Sequence, residues 1–189
     1  MADFEIREIK NDNYDKWNKF VDKSKEGTLF HKSYWLKASG NNFKIIGSYT
    51  GNQLRGGAVI SMKKNKFKQK VVSNPVLTPY SGVIFEQKRG KKTTYLSNEK
   101  KISDDIAKYL ANNYKNILLN LNFNYNDLQP FIWNGFNVNV RYTYLLNCFD
   151  LDKVWNGFDS STRRSIKRAK KDNLYIRKEN NLENMIELV

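Results

Sequence analysis

The chain has 189 residues, 40% of them hydrophobic and 14% aromatic, which excludes a disordered polypeptide and allows a core that needs no metal or disulfide. Its 33 Lys and Arg against 19 Asp and Glu give a formal net charge of +14. That charge points to an anionic partner: nucleic acid, a phosphorylated substrate or a membrane surface, with a lysine-rich soluble surface as the plain alternative. A single cysteine, Cys148, excludes an internal disulfide. It implies a reducing, cytoplasmic setting.

In chain order, residues 4–9 alternate as a strand, and Tyr14, Trp17, Phe20 and Val21 recur at helical spacing over 13–23. Gly27 ends that helix, and 29–38 reads as a second, short one. Strands are expected at 43–50 and 54–62, joined at Gly51-Asn52 as a hairpin. A further strand is expected at 67–73, and two of the three prolines stiffen the loop 74–82. After a short extended piece at 83–86, the basic and polar stretch 87–95 reads as an exposed loop. The clearest helix is 97–114, with Ile102, Ile106, Tyr109 and Leu110 in phase. Then follow a strand at 116–121, a short helix at 127–133 stopped by Gly135, and a strand at 137–147 that makes Cys148 a small core residue. Asp150 is placed to cap a helix from 151 that Gly157 breaks, and Ser160 or Ser161 to cap another reaching about 172. The alternation of strands, helices and hairpins is that of a mixed α/β sheet with helices on both faces.

Four segments carry candidate chemistry. Gln53-Leu54-Arg55-Gly56-Gly57-Ala58 fits a Q/R-x-x-G-x-A pyrophosphate-binding pattern. Such a loop must feed amides into a helix N-terminus, and here a strand is expected instead. The glycines then serve a bulge or close strand packing. The loop Thr78-Pro79-Tyr80-Ser81-Gly82 offers the hydroxyls of Thr78 and Tyr80 on a stiff frame, either to position a ligand or to align strands. Trp35 with Lys37 suits a phosphate or sugar cleft, although taken alone Trp35 reads as core and Lys37 as solvated. The fourth segment, 163–171, holds six basic residues and no acid. At about 100° per residue, Arg164, Lys167, Arg168 and Lys171 share one helical face and Thr162, Ile166 and Ala169 the other, with Arg163 flanking. Such a helix docks by its apolar stripe and turns its cations to an anion. With one His and one Cys, no metal-binding spacing exists, and no catalytic residue can be assigned.

Taken in order, Trp17 with Phe20-Val21, Gly27-Thr28-Leu29-Phe30, Tyr34-Trp35-Leu36, the glycine-bearing hairpin, Thr78-Pro79-Tyr80-Ser81-Gly82, Arg141-Tyr142-Thr143-Tyr144-Leu145-Leu146 and Ser161-Thr162-Arg163-Arg164-Ser165-Ile166-Lys167-Arg168-Ala169 resemble the FemABX-like acyltransferases of the GNAT superfamily. The resemblance implies a GNAT-like, mixed and mostly antiparallel sheet flanked by helices. It implies a first domain over 1–150, basic connecting helices over 151–173 and the entrance to a second GNAT-like domain over 174–189. The apolar positions Leu182, Met185, Ile186 and Val189 fit that entrance. Relatives transfer aminoacyl groups to a peptidoglycan precursor or acyl groups from acyl-CoA. The acyl donor, aminoacyl-tRNA or acyl-CoA, is then expected to meet the full-length protein and not this part, which is expected to be inactive alone. The implied partners are a phosphorylated acceptor such as a cell-wall precursor, tRNA, and the anionic membrane surface by peripheral contact, with no transmembrane segment. Trp35, Lys37, Thr78, Tyr80, Arg163, Arg164 and Lys167 are the implied substrate-binding residues. The alternatives are a CoA-dependent N-acetyltransferase acting on a sugar or small amine, and a non-enzymatic anion-binding or nucleic-acid-binding module.

Overall fold

The computed structural model describes residues 4–40, 42–87, 90–174 and 178. By contacts the chain divides into two units, Met1–Asn139 and Val140–Val189, whereas the sequence places the first boundary after 150.

The first unit is built on a six-stranded sheet. β1 (Glu5–Ile9) pairs antiparallel with β2 (Phe43–Thr50), and β2 with β3 (Gln53–Lys64). β3 carries two partners end to end along its other edge, β4 (Lys70–Ser73) and β5 (Gly82–Phe85), both antiparallel. β4 and β5 are thus one strand line interrupted by the loop 74–81. β6 (Ile117–Leu118) runs parallel to β4, and a parallel bridge joins Ser81 to Leu121 further along. The mixed, mostly antiparallel sheet flanked by helices matches the fold class expected from the sequence.

Strand alternation sends side chains to two cores. Ile45, Val59 and Ile84 meet Trp17 and Val21 of α1 (Tyr14–Lys23) and Leu36 of α2 (Ser33–Ala38). Ile46, Ala58, Ile60, Val72, Val83 and Phe85 meet Ile102, Ile106 and Leu110 of α3 (Lys92–Asn113) and Phe131 of α4 (Gln129–Trp133). Gly56 and Gly57 sit inside β3, so the pyrophosphate pattern at 53–58 is a strand, as its context indicated. A Cβ on Gly57 would lie 2.5 Å from the Ile46 carbonyl oxygen and 2.7 Å from the Trp17 ring; one on Gly56 would lie 2.8 Å from Ile102. The two glycines therefore let a helix close on each face of the sheet. A bulge lies beside them: Ser48 faces Gly56 but Tyr49 faces Leu54, which leaves Arg55 as the extra residue.

Several expectations need correction. The strand expected at 67–73 starts only at Lys70, because Asn65 takes the preceding residues into a turn. Its Oδ1 accepts from the Phe67 and Gln69 amides at 2.9 Å each. The helix expected from 97 starts at Lys92, so the second half of the expected loop is helical. The strand expected at 137–147 has no regular structure, since no described strand pairs with it to take up its backbone groups. Cys148 is correspondingly exposed rather than part of a core.

In the second unit Asp150 caps α5 (Leu151–Gly157) as expected, accepting from the Lys153 amide at 3.0 Å. The cap of α6 (Ser160–Lys171) is Asp159, not Ser160 or Ser161. Its carboxylate accepts from the Thr162 amide and the Ser161 hydroxyl, both at 2.7 Å, and an ionised acceptor outcompetes a serine there. These bonds hold its carboxyl below the usual range. The strand expected at 174–178 and the helix expected from 182 lie outside the described residues, apart from Leu174 and Lys178.

Candidate functional site

The interruption between β4 and β5 builds the first candidate site. Asn74 ties the start of the loop to the neighbouring chain: its Nδ2 donates to the Asn120 carbonyl at 3.1 Å and its Oδ1 accepts from the Asn120 amide at 3.0 Å. Pro75 is buried, and the Thr78 amide closes a turn on its carbonyl at 3.2 Å. Within that turn Leu77 has φ of 55°, a left-handed conformation unfavourable for a leucine, and its side chain stands in solvent. Leu77 is thus an apolar residue held strained and exposed by a loop anchored at Asn74.

Trp35, Thr78 and Tyr80 come together there. The Trp35 indole Nε1 donates to Thr78 Oγ1 at 3.0 Å, across 43 residues of sequence. Phe30 packs edge-on against both Trp35 and Tyr80, with centroids 5.3 Å apart in each case, and Tyr80 packs edge-on against Phe123 at 5.9 Å. Phe30, Trp35 and Tyr80 are half-buried and Phe123 is exposed, so the rings form a shelf open to solvent. The sequence pointed to Trp35, Thr78 and Tyr80 but missed Phe30 and Phe123 as its ends. Phe30 was legible only as a residue of a helical face, and nothing near Phe123 signals it.

Lys37 does not join the shelf. Two residues on from Trp35 along α2, it is carried to another side of the helix, where its Nζ lies 5.2 Å from the centroid of the Tyr14 ring. Arg163, Arg164 and Lys167 belong to the second unit. There Arg164, Lys167, Arg168 and Lys171 are exposed, while Thr162, Arg163, Ile166 and Ala169 are partly covered, which is the two-faced pattern read from the sequence with Arg163 on the covered side. Arg164 Nε donates to the Ser160 carbonyl at 3.3 Å, and Arg168 lies 3.6 Å from Asp172.

Under the shelf region runs a polar frame. Asn18 of α1 caps the start of α2, accepting from the Ser33 amide and donating to the Ser33 hydroxyl at 2.9 Å each. His31 is fully buried; its carbonyl accepts from Trp17 Nε1 at 2.6 Å, and its Nδ1 lies 3.0 Å from Thr28 Oγ1. Burial holds the His31 pKa down at about 4. His31 is therefore neutral at physiological pH, and its backbone carbonyl, through Trp17, ties α1 to the residues leading into α2.

The second candidate site is the turn from β5 into α3. Here a strand leads on to a helix, which the pattern at 53–58 lacks. Glu86 follows β5 and is held by Arg55, whose guanidinium lies 2.9 Å from both carboxylate oxygens. Gln87 and Gly90 are exposed, and Gly90 has φ of 80°, which favours glycine. Residues 88 and 89 are outside the described set. Lys91 stands at the N-cap position of α3 without a side-chain cap hydrogen bond, Lys92 opens the helix, and the first turn holds no acid. Uncapped amides, the positive end of a 22-residue helix and two exposed lysines together suit a phosphate group. The signal was present in the sequence as Gln87-x-x-Gly90 followed by lysines, but without a capping residue the helix start could not be placed.

Among the described residues no three His, Cys, Asp or Glu side chains group as metal ligands, and no helix is long and apolar enough to cross a membrane. No protein-family model matches the sequence, and no curated protein does. Solved structures do resemble the fold. A GNAT family acetyltransferase from Staphylococcus aureus is similar over 77% of this chain and 100% of its own, with 15% identity and a TM-score of 0.40. An aminoglycoside acetyltransferase from an uncultured soil metagenomic sample, in complex with trehalose, covers 76% of this chain and 97% of its own at 12% identity and a TM-score of 0.44. Glucosamine-6-phosphate N-acetyltransferase from Arabidopsis thaliana covers 78% and 99% at 11% identity and a TM-score of 0.41. The chemistry has to be read from this chain's own residues.

Proposed function

We propose that this chain is part or all of an N-acyltransferase that holds a diphosphate-bearing acyl donor of the acyl-CoA kind at the β5–α3 turn and an amine acceptor, a sugar or small amine, on the Trp35–Thr78–Tyr80 shelf. The observation that carries this reading is the uncapped, lysine-flanked start of α3 directly after β5. β5 links the two candidate sites: the shelf residue Tyr80 lies just before it and the turn just after it. Four residues of strand span about 13 Å, so a donor gripped by its phosphates at one end can present its acyl group toward the other. The acceptor nitrogen attacks the thioester carbon, a C–N bond forms, the C–S bond breaks, and the thiolate takes the proton that the ammonium loses. Catalysis by such a frame is mainly orientation, aided by donors to the developing oxyanion.

A second reading follows from a different observation. Phe85, Tyr125, Phe131 and Phe136 make a continuous series of ring contacts and occupy the space on the α3 side of β5. A strand packed in this way favours a part that holds only the acceptor. In the FemABX-like form of the reading, a phosphorylated cell-wall precursor lies on the shelf. An aminoacyl-tRNA then serves as the acyl donor, and Arg163, Arg164 and Lys167 of α6 form a separate anion-binding face in the second unit.

Calorimetric titration separates the two. Acetyl-CoA is expected to bind the native chain, and Lys91→Gln with Lys92→Gln is expected to weaken it by about 1–2 kcal/mol, less at high salt. Binding of a UDP-linked muropeptide without acetyl-CoA, weakened by Arg164→Ala with Lys167→Ala, supports the second reading. Failure of both ligands sinks both.

A further inference from the structure

The β3–β4 hairpin takes no part in either candidate site, and its chemistry is distinctive. Residues 63–70 contain Lys63, Lys64, Lys66, Lys68 and Lys70, no acid, and one aromatic, Phe67. All five lysines are exposed, and Phe67 is 84% exposed at the turn. The turn is built to hold it there. Besides accepting from the Phe67 and Gln69 amides, Asn65 donates from Nδ2 to Gln69 Oε1 at 3.0 Å, and the Lys68 amide bonds the Asn65 carbonyl at 2.9 Å with Lys68 at φ of 60°. Lys64 and Lys70 stand directly opposite each other across the ladder. A like-charge cross-strand pair weakens a hairpin, so stability does not account for it.

The hairpin leads into a groove of about 610 Å³ between the strands and the end of α3. Lys44, Lys70 and Lys115 line it, with the amides of Gln69, Asn113 and Asn116 and the apolar side chains of Met62 and Tyr114. Glu8 is paired with Lys44 at 3.1 Å.

We infer that the β3–β4 hairpin and this groove form a binding site for single-stranded RNA. Lysines spaced along a ribbon meet successive phosphates, an exposed ring gives a base a stacking surface, and side-chain amides offer both donors and acceptors to base edges. The groove decides between this partner and an anionic bilayer. A planar lipid surface meets a protruding lysine hairpin but cannot enter a concave groove, whereas a single strand can follow it, with phosphates on the three lysines and a base against Tyr114 and Met62.

The test is fluorescence anisotropy with a labelled oligouridylate of about 12 nucleotides, at several salt concentrations. The native chain is expected to bind with an affinity that falls as salt rises. Phe67→Ala is expected to weaken binding by about 5- to 100-fold with the salt slope unchanged, because a stacking contact releases no counterions. Lys64→Gln with Lys70→Gln is expected to reduce the slope by about 1.4, or about 0.7 per phosphate contact. These side chains are exposed, so circular dichroism is expected to show an unaltered fold. The inference is overturned if the oligonucleotide does not bind, or if it binds with the hairpin variants unchanged. It is equally overturned if phosphatidylserine vesicles, and not the oligonucleotide, lose binding with Phe67→Ala. Acyl-CoA binding at the β5–α3 turn is independent of all these outcomes.

Discussion

Trp17→Ala is expected to destabilise the first unit by about 3–5 kcal/mol, the range for emptying a fully buried aromatic site. Trp17 is 0% exposed and is the largest side chain in the core between the sheet and α1. Its ring fills the space that Gly57 leaves open, so on that side of the cavity there is no side chain to move in. The substitution also removes the indole donor to the His31 carbonyl, which leaves a buried acceptor unpaired. Urea unfolding of the native and variant chains measures the loss through the shift in midpoint. A change below about 1 kcal/mol would mean that this core is much looser than its burial implies.

The second large effect is a dependence on acid. His31 has a pKa of about 4 in the folded chain, depressed first by burial, against 6.5 when exposed. The unfolded chain therefore takes up a proton below pH 6.5 that the folded chain refuses until about pH 4. Stability is fully present above pH 6.5 and falls as pH drops through that window. The linkage amounts to about 2 kcal/mol by pH 5 and about 3 kcal/mol by pH 4. Unfolding midpoints at pH 7 and pH 5 measure it, and His31→Gln is expected to be less stable at pH 7 but flatter between the two. An equal slope in native and variant chains would show that His31 is solvated.

Much of the sheet was legible because its signals are local. Strand β2 follows from alternation closed by Gly51-Asn52, and the helix α1 from the spacing of Trp17 and Val21. The role of Gly56 and Gly57 was legible too, since a glycine pair inside a strand has few uses besides close packing. Other features depended on what the chain meets at a distance. The pattern at 137–147 is that of a strand, but a strand is a property of a pair, and no described strand is its partner. The start of α3 was missed because it uses no capping side chain, and Asp159 displaced the expected serine caps because a carboxylate is the stronger acceptor.

The candidate sites show the same division. Thr78 and Tyr80 stood out as hydroxyls on a stiff loop, but the bond from Trp35 to Thr78 spans 43 residues and is a product of the fold. Lys37 is close to Trp35 in sequence, yet the turn of the helix carries it to Tyr14. The lysines of the β3–β4 hairpin were visible only as part of a net charge. Their meaning depends on the turn that presents Phe67 and on the groove beside it.

The most direct test of a diphosphate site at the β5–α3 turn is a two-dimensional amide NMR titration of the chain with acetyl-CoA. The expected result is saturable shifts at the amides of Gly90, Lys91, Lys92 and Thr93, at the start of α3, with smaller shifts around Tyr80. Saturating acetyl-CoA that leaves those amides in place, or that shifts only residues of α6, would contradict the proposal.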